Sequence, residues 1–328
     1  MKRHPWGLKL WLFSFSASII AATACGARSS LEEGKSRPRP IELEAGTGGG
    51  PIELEAGSEG GPIEAGPDVE DAGPDVEDAH PDVEPFNCEE AGITFIYLVT
   101  QESDLFRFYP PDLSFAPIGT IQCPSQAGAT PYSMAVDRKG TGYVVFNDGE
   151  LFKVSTANAS CKKTGFLPGQ EGFTPTFGMG FSANKNDPGE TLFVAGTTPG
   201  EQLATIDIAT MDLNIVGTFG SPVGNLELTG TGDGRLFGFG HDPGITGFHL
   251  AEIDKTNASI LSDLIVPVGQ PNSAWAFAFF GGDFYFFTSV GSGSSVVTRY
   301  HPDDGSFTPV ATLNRTIVGA GVSTCAPE

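Results

Sequence analysis

The sequence predicts an all-β domain, a five-bladed β-propeller over residues 88–328, preceded by a signal peptide and a disordered tether. Three observations support this prediction. One strand type recurs from residues 105, 151, 203, 250 and 297, which lie 46, 52, 47 and 47 residues apart. Each copy lies among three further strand-like runs, so one unit has four strands. The chain is also rich in Phe (25), Gly (44) and Pro (25), which favours short strands and turns over helices.

The recurring strand is the third of each unit and reads "LFRFYP", "LFKVS", "LATIDI", "LAEIDK" and "VTRYHP". Aromatic or β-branched runs such as "GYVVFN" (142–147) precede it. A small-residue run such as "FGMGFS" (177–182) begins the unit and suits the crowded innermost position. Turns such as "NDGE" (147–150) and "PDDGS" (302–306) supply the positive φ angles of hairpins. A pair of β-sandwiches is the alternative, but it does not explain five units at one period.

The first unit lacks an innermost strand, and "IVGAGVS" (317–323) matches the missing type. We therefore expect the C-terminal strand to close the ring. Cys325 lies just after this strand and Cys88 just before the second strand of the first unit, so we predict a Cys88–Cys325 disulfide. In chain-entropy models, a loop of this size stabilises the fold by about 4–5 kcal/mol.

Cys123 and Cys161 remain, and by elimination we predict that they form a second disulfide. In an untwisted stack they lie at opposite ends of neighbouring blades. Neighbouring strands rotate by roughly 20–25°, and the accumulated twist brings the outer strands together. Two unpaired buried thiols are the alternative.

The N-terminus reads as a targeting segment. Residues 1–24 contain a basic start and a 13-residue apolar run, "LWLFSFSASIIAA", which is short for a membrane span and typical of a signal peptide. The run leads into "AATAC", which resembles the lipobox of bacterial lipoproteins, although Ala22 stands where Leu is preferred. The resemblance implies lipidation of Cys25; ordinary secretion with a free Cys25 is the alternative. Gly26 follows the cysteine, so no Asp-type retention signal for the inner membrane is present.

Residues 25–87 are predicted to be a lipidated cysteine followed by a disordered tether. The repeats "PIELEAG" and "PDVEDA" are acidic and rich in Pro and Gly, and they offer too little apolar surface to form a core. A calcium-binding tract is the alternative reading of "DVED", but the spacing lacks the turn glycine of an EF-hand loop.

The net charge and the absence of known catalytic motifs restrict the classes of function that we expect. The formal net charge is −22, which excludes a nucleic acid as an expected partner. The sequence contains no G-x-S-x-G, P-loop, H-E-x-x-H or G-x-G-x-x-G motif. We therefore expect no cofactor, no metal and no catalytic residues, and we expect a monomer.

The best candidate for a site is the mouth of the central channel, where the connections from outer to innermost strands converge. Aromatic and amide side chains with one Arg suit a sugar or a small anion. Packing of Tyr132 and Trp275 between blades is the alternative. Asp104, Glu201 and Asp242 are expected in loops on the same side, where a cation site is a further alternative. The predicted ligand-binding residues are Tyr132, Thr176, Asn225, Asn272, Trp275 and Arg315.

The segments "PYSMAVDRKGTGYVVFNDGELFKVSTANASC" (131–161), "ELTGTGDGRLFGF" (227–239), "SAWAFAFFGGDFYFFT" (273–288) and "TIVGAGVSTCAP" (316–327) are similar to those of uncharacterised myxobacterial lipoproteins. Members of that group carry an acidic or Pro/Gly-rich tether and a propeller-like domain. The resemblance covers residues 88–328. It implies location and fold, and it implies no activity.

These observations together predict a cell-envelope lipoprotein, held by its lipid anchor at the outer membrane, whose propeller is a ligand-binding or interaction scaffold. A glycan or another envelope protein is the expected partner. A hydrolase or lyase of the lactonase or glycosidase kind, acting at the channel, is the alternative. The innermost strands are mostly small or apolar, with Glu227 and Asp137 as exceptions, which favours binding over catalysis.

Overall fold

The computed structural model describes residue 88 and residues 95–328, with gaps at 198–200, 221–222, 242–246, 269–273 and 292. The predicted signal peptide, Cys25, the tether and Asn272 lie outside the described residues. Within them, twenty strands form five antiparallel four-stranded sheets. One 3₁₀ turn, Gln170–Gly172, lies between the second and third sheets. No helix in this part of the chain is long and apolar enough to cross a membrane.

Each sheet is one blade, described here from the axis to the rim. Blade 1 has β20 (Ile317–Val322), β1 (Ile96–Thr100), β2 (Asp104–Tyr109) and β3 (Ser114–Thr120). Blade 2 has β4 (Pro131–Val136), β5 (Thr141–Phe146), β6 (Leu151–Ser155) and β7 (Cys161–Lys163). Blade 3 has β8 (Phe177–Ala183), β9 (Glu190–Gly196), β10 (Gln202–Ile206) and β11 (Leu213–Thr218). Blade 4 has β12 (Asn225–Gly230), β13 (Leu236–His241), β14 (Phe248–Ile253) and β15 (Ile260–Val266). Blade 5 has β16 (Trp275–Phe280), β17 (Asp283–Ser289), β18 (Ser295–His301) and β19 (Ser306–Leu313).

The innermost strands β20, β4, β8, β12 and β16 contact one another in this order around the axis, and β16 returns to β20. The predicted five-bladed propeller is therefore confirmed. β20 pairs with β1 in an antiparallel register that sets Ile96 opposite Val322 and Val99 opposite Gly319. As predicted, the last strand of the chain completes the first blade.

Small residues on the innermost strands let neighbouring backbones touch. A Cβ placed on Gly178 of β8 would lie 1.9 Å from the carbonyl oxygen of Leu226 on β12. A Cβ on Gly319 of β20 would lie 2.7 Å from the backbone nitrogen of Met134 on β4. Real Cβ atoms do not approach so closely, so these positions require glycine.

Aromatic rings fill the interfaces between blades. Phe108 of blade 1 packs against Phe287 of blade 5 at a centroid distance of 5.8 Å. Phe239 of blade 4 packs against Phe286 of blade 5 at 4.5 Å. Such ring pairs stabilise a core beyond the area that they bury. The many phenylalanine residues of the sequence are therefore explained in part by packing between blades.

Both predicted disulfides are present. Cys88 bonds to Cys325 and Cys123 bonds to Cys161, each with a Cα–Cα distance of 5.1 Å. Near the second bond, the outer strand of blade 1 approaches the turn that precedes the outer strand of blade 2. Gly119 of β3 lies against Ala159, in the turn before β7, where an added Cβ would be 3.1 Å from the Ala159 Cβ.

The outer strand of blade 2 is the shortest of the five outer strands. β7 contains three residues, whereas the other four contain six to eight. The Thr164 hydroxyl donates to the Leu151 carbonyl at 2.6 Å, which ends the ladder with β6. Beyond this point the chain turns away through the 3₁₀ turn.

Replacing Gly178 with alanine tests the contact between innermost strands. Because the new Cβ would overlap the backbone of β12, we expect Gly178→Ala to lower the free energy of unfolding by about 3 kcal/mol. Gly165→Ala is the matched control, since nothing lies within 4 Å of a Cβ there; its expected effect is within about 0.5 kcal/mol. Denaturant unfolding measures both, and equal stabilities for the two variants would contradict this packing.

Candidate functional site

One mouth of the central channel collects polar and aromatic side chains. All five innermost strands begin at this mouth, and β1 and β5 run back towards it. A cavity of about 270 Å³ opens here. It is lined by Gln101, Thr130, Pro131, Tyr132, Asn147, Asn225, Leu226, Glu227, Ala274, Trp275 and Val318.

Three of the sequence-predicted residues line this cavity: Tyr132, Asn225 and Trp275. Thr176 is not a lining residue, but its side chain forms a hydrogen bond with that of Tyr132. Arg315 is not a lining residue. The structure thus brings together part of the predicted set at the predicted mouth.

Tyr132 and Trp275 also pack between blades. Each ring is half-buried. Tyr132 packs against the cluster of buried side chains shared by blades 2 and 3, and Trp275 against the cluster shared by blades 4 and 5. Trp275 meets Phe248 edge-on at a centroid distance of 5.5 Å. The two alternatives considered from the sequence are therefore compatible, because one side of each ring packs and the other faces the cavity.

Glu227 is the carboxylic acid among the described lining residues. It lies on β12 and is only 6% exposed. Ser133 of blade 2 donates a hydrogen bond to the Glu227 Oε2 at 2.6 Å, and the Met179 N–H of blade 3 donates to the Ser133 Oγ at 3.1 Å. One polar chain therefore links three blades near the axis.

Burial dominates the ionisation of this group. Removal from water raises the pKa of Glu227 well above its ordinary value, and the hydrogen bond from Ser133 lowers it only in part. Burial, and secondarily the nearby Glu227 charge, also raises the pKa of Tyr132. Both groups are therefore held towards their neutral forms and act as hydrogen-bonding groups.

Arg315 is tied to blade 1. Its Nε donates to Asp104 Oδ2 at 2.9 Å, and its Nη1 donates to the carbonyl of Asn314 at 2.9 Å. The hydrogen bond from Arg315 holds the pKa of Asp104 below its usual range. Asp104 is therefore engaged with a cation of the protein itself.

The opposite end of the channel is covered by the last residues of the chain. The Thr324 hydroxyl donates to Glu190 at 2.8 Å and accepts from the Arg138 Nε at 2.7 Å. The Pro327 carbonyl accepts from the Gly281 N–H at 2.7 Å. The Glu328 side chain accepts from the Asp233 N–H at 2.6 Å. This segment therefore contacts blades 2, 3, 4 and 5, so the mouth cavity has a covered far end.

Two further carboxyl groups belong to that covered end. Burial raises the pKa values of Asp137 and Glu190. Glu190 accepts from the Arg138 N–H at 2.6 Å, and Asp137 accepts from the Thr141 N–H at 2.7 Å. These bonds give both groups a structural role away from the mouth.

Sequence reasoning missed Gln101 and Asn147 and left Glu227 out of the candidate set. Strand order could have identified Gln101 and Asn147, since each follows a strand that ends at the same mouth. The signal for Glu227 was chemical, because it is the charged residue of the small-residue run "LELTGTG".

The described residues contain no group of three or more His, Cys, Asp or Glu side chains placed to hold a metal ion. Of the three acids considered for a cation, Asp104 binds Arg315 and Asp242 lies outside the described residues.

No family model and no curated protein matches the chain. Among solved structures, it resembles the extracellular domain of a putative hybrid two-component system from B. thetaiotaomicron, with 14% identity and a TM-score of 0.36. It also resembles a chain of the mitotic checkpoint complex, with 12% identity and a TM-score of 0.34. The match covers 69% of this chain and 29% of the first protein, and 67% of this chain and 60% of the second. These likenesses are too distant to inform activity.

The buried Glu227 predicts a pH-dependent stability difference. Because its pKa is raised on folding from an ordinary value of 4.5, the folded state holds a proton that the unfolded chain releases. Stability therefore falls as pH rises from about 4.5 towards the folded-state pKa. Glu227→Gln removes this loss. We expect the stability advantage of the variant over the parent protein to grow by about 1.4 kcal/mol per pH unit as the pH rises from about 4.5 towards the folded-state pKa, because unfolding releases one proton in this range.

Glu252→Gln is the control, because Arg235 lowers the pKa of Glu252. Its stabilising effect is present above about pH 4.5 and is lost in acid, so the Gln variant should instead lose less than about 1 kcal/mol at neutral pH. Denaturant unfolding at several pH values measures both variants. A pH-independent difference for Glu227→Gln would contradict a raised pKa.

Proposed function

We propose that the protein is a cell-envelope lipoprotein that displays a propeller as a non-enzymatic ligand-binding module. The ligand occupies the cavity at the channel mouth. The basic and apolar N-terminus with "AATAC" supports an anchor at Cys25, and the acidic repeats support a spacer between anchor and propeller. The propeller supplies a rigid site at the end of that spacer.

The observation that carries the binding proposal is the composition of the cavity. Two half-buried aromatic rings, Tyr132 and Trp275, lie beside neutral polar side chains and one buried carboxyl group. Concave sites with apolar walls and a few convergent polar groups are the usual form of small-molecule sites. Their parts come from several blades, so the folded ring preorganises them.

The enzyme alternative has weaker support. Glycosidases of the common kinds use two carboxyl groups on either side of the scissile bond, and the described lining residues include only Glu227. The Ser133 hydroxyl beside it is fully buried and bonded on both sides, so it does not reach a substrate.

The anchor is tested by Cys25→Ser in the full chain. Because the thioether needs a cysteine, we expect the parent protein to fractionate with membranes and the variant to move to the soluble envelope fraction. Immunoblots of the two fractions measure this. A variant that stays with the membranes would contradict the anchor.

Ligand binding is tested by the emission of Trp275. The other two tryptophans, Trp6 and Trp11, lie in the predicted signal peptide, so the difference between the parent protein and Trp275→Phe isolates the cavity signal. We expect small molecules extracted from the cell envelope to shift this difference spectrum in a saturable way. An unchanged spectrum at all concentrations would contradict the binding proposal.

A further inference from the structure

We infer that the cavity takes a neutral, hydroxyl-rich ligand of the sugar class, in preference to an anion or an organic cation. The inference rests on the proposed binding function and assigns its ligand chemistry. It follows from four features of the described part of the cavity: its aromatic platform, its polar rim, the burial and hydrogen bonding of Glu227, and its size.

The aromatic platform suits the apolar face of a sugar ring. Trp275 is held in place by its edge-on contact with Phe248, so its orientation is set before a ligand binds. The Tyr132 side chain forms a hydrogen bond with that of Thr176, whose hydroxyl lies 3.3 Å from that of Thr197. Rigid aromatic side chains with one wet side bury apolar area at low entropic cost.

The described side chains of the rim around this platform are polar and uncharged. Gln101, Thr130 and Asn147 line it, and amides and hydroxyls both donate and accept hydrogen bonds, as sugar hydroxyls do. The side chain of Asn147 is already oriented, because its Oδ1 accepts from the Thr130 N–H at 3.1 Å. A site built to bond hydroxyl groups discriminates against ligands that lack them.

An anion finds no counter-charge among the described residues that line this cavity. The described lining residues include no Lys, Arg or His. Arg315, which the sequence placed in the candidate set, is bonded to Asp104 instead. A buried charge without a partner is costly, so an anionic group is disfavoured.

An organic cation would require Glu227 to ionise. Glu227 Oε2 is already bonded to Ser133, and burial raises the pKa of this carboxyl group. The neutral acid both donates and accepts hydrogen bonds. It therefore matches a hydroxyl group, which does the same, better than an ammonium group, which does not accept hydrogen bonds. An organic cation is the main alternative ligand, because aromatic rings also attract cations.

The volume of the cavity limits the length of the ligand. At about 270 Å³ it lies just below the range of roughly 300–1,000 Å³ typical of small-molecule sites. It therefore fits a single sugar ring or a chain end.

The test titrates the full chain at pH 7 with glucose, galactose, N-acetylglucosamine, choline and acetate, followed by calorimetry and Trp275 emission. We expect at least one sugar to bind, and Trp275→Ala to weaken that binding at least tenfold. Glu227→Gln should change it less than threefold, because a neutral amide replaces a neutral acid. Tyr109→Ala, an aromatic change outside the cavity, and Glu190→Gln, a buried acid at the covered end, are the controls and should leave it unchanged.

Binding of choline without any sugar, with a tenfold loss in Glu227→Gln, would overturn the inference in favour of a cation. Binding of acetate alone would overturn it in favour of an anion. If envelope extract shifts the Trp275 emission but no sugar binds, the binding function stands and the sugar inference fails. If neither extract nor any probe has an effect, both fail.

Discussion

The structure depends on contact between the backbones of five innermost strands around one axis. At Gly178 a side chain would overlap the carbonyl oxygen of Leu226, and at Gly319 it would meet the backbone of Met134. Because of this crowding, the contact positions on the innermost strands are mostly glycine and alanine, with few larger side chains. It also makes any acid at the axis unusual, because an acid there must be buried and hydrogen-bonded.

Glu227 shows the consequence. Its carboxyl group is buried where three blades meet, with Ser133 of blade 2 and the backbone of Met179 of blade 3 completing the chain of hydrogen bonds. The same ring that buries the carboxyl group places Tyr132 and Trp275 beside it from blades 2 and 5. The geometry of the cavity therefore depends on closure of the ring, since loss of closure would move the walls of the site apart.

Closure itself is built from distant parts of the chain. β20 supplies the innermost strand of blade 1, the Cys88–Cys325 disulfide holds its end, and the residues that follow contact the other four blades. This segment covers one end of the channel, and the mouth cavity lies at the other.

The fold was largely predictable because a repeated strand pattern is a local signal that recurs five times. The composite blade and the Cys88–Cys325 bond followed from one missing strand and the cysteines at its ends. The site was only partly predictable. That Arg315 bonds to Asp104 depends on side-chain geometry across 211 residues, which no local pattern encodes. Gln101 and Asn147 line the cavity because β1 and β5 end at the mouth. That position becomes visible only in the assembled ring.

Hydrogen exchange of the full chain tests most directly whether closure by β20 supports the whole ring. If it does, backbone amides of β20 exchange with the same free energy of opening as those of β8 and β12, because the strands open together in global unfolding. Faster exchange in β20 through local opening, with β8 and β12 still protected, would contradict the account.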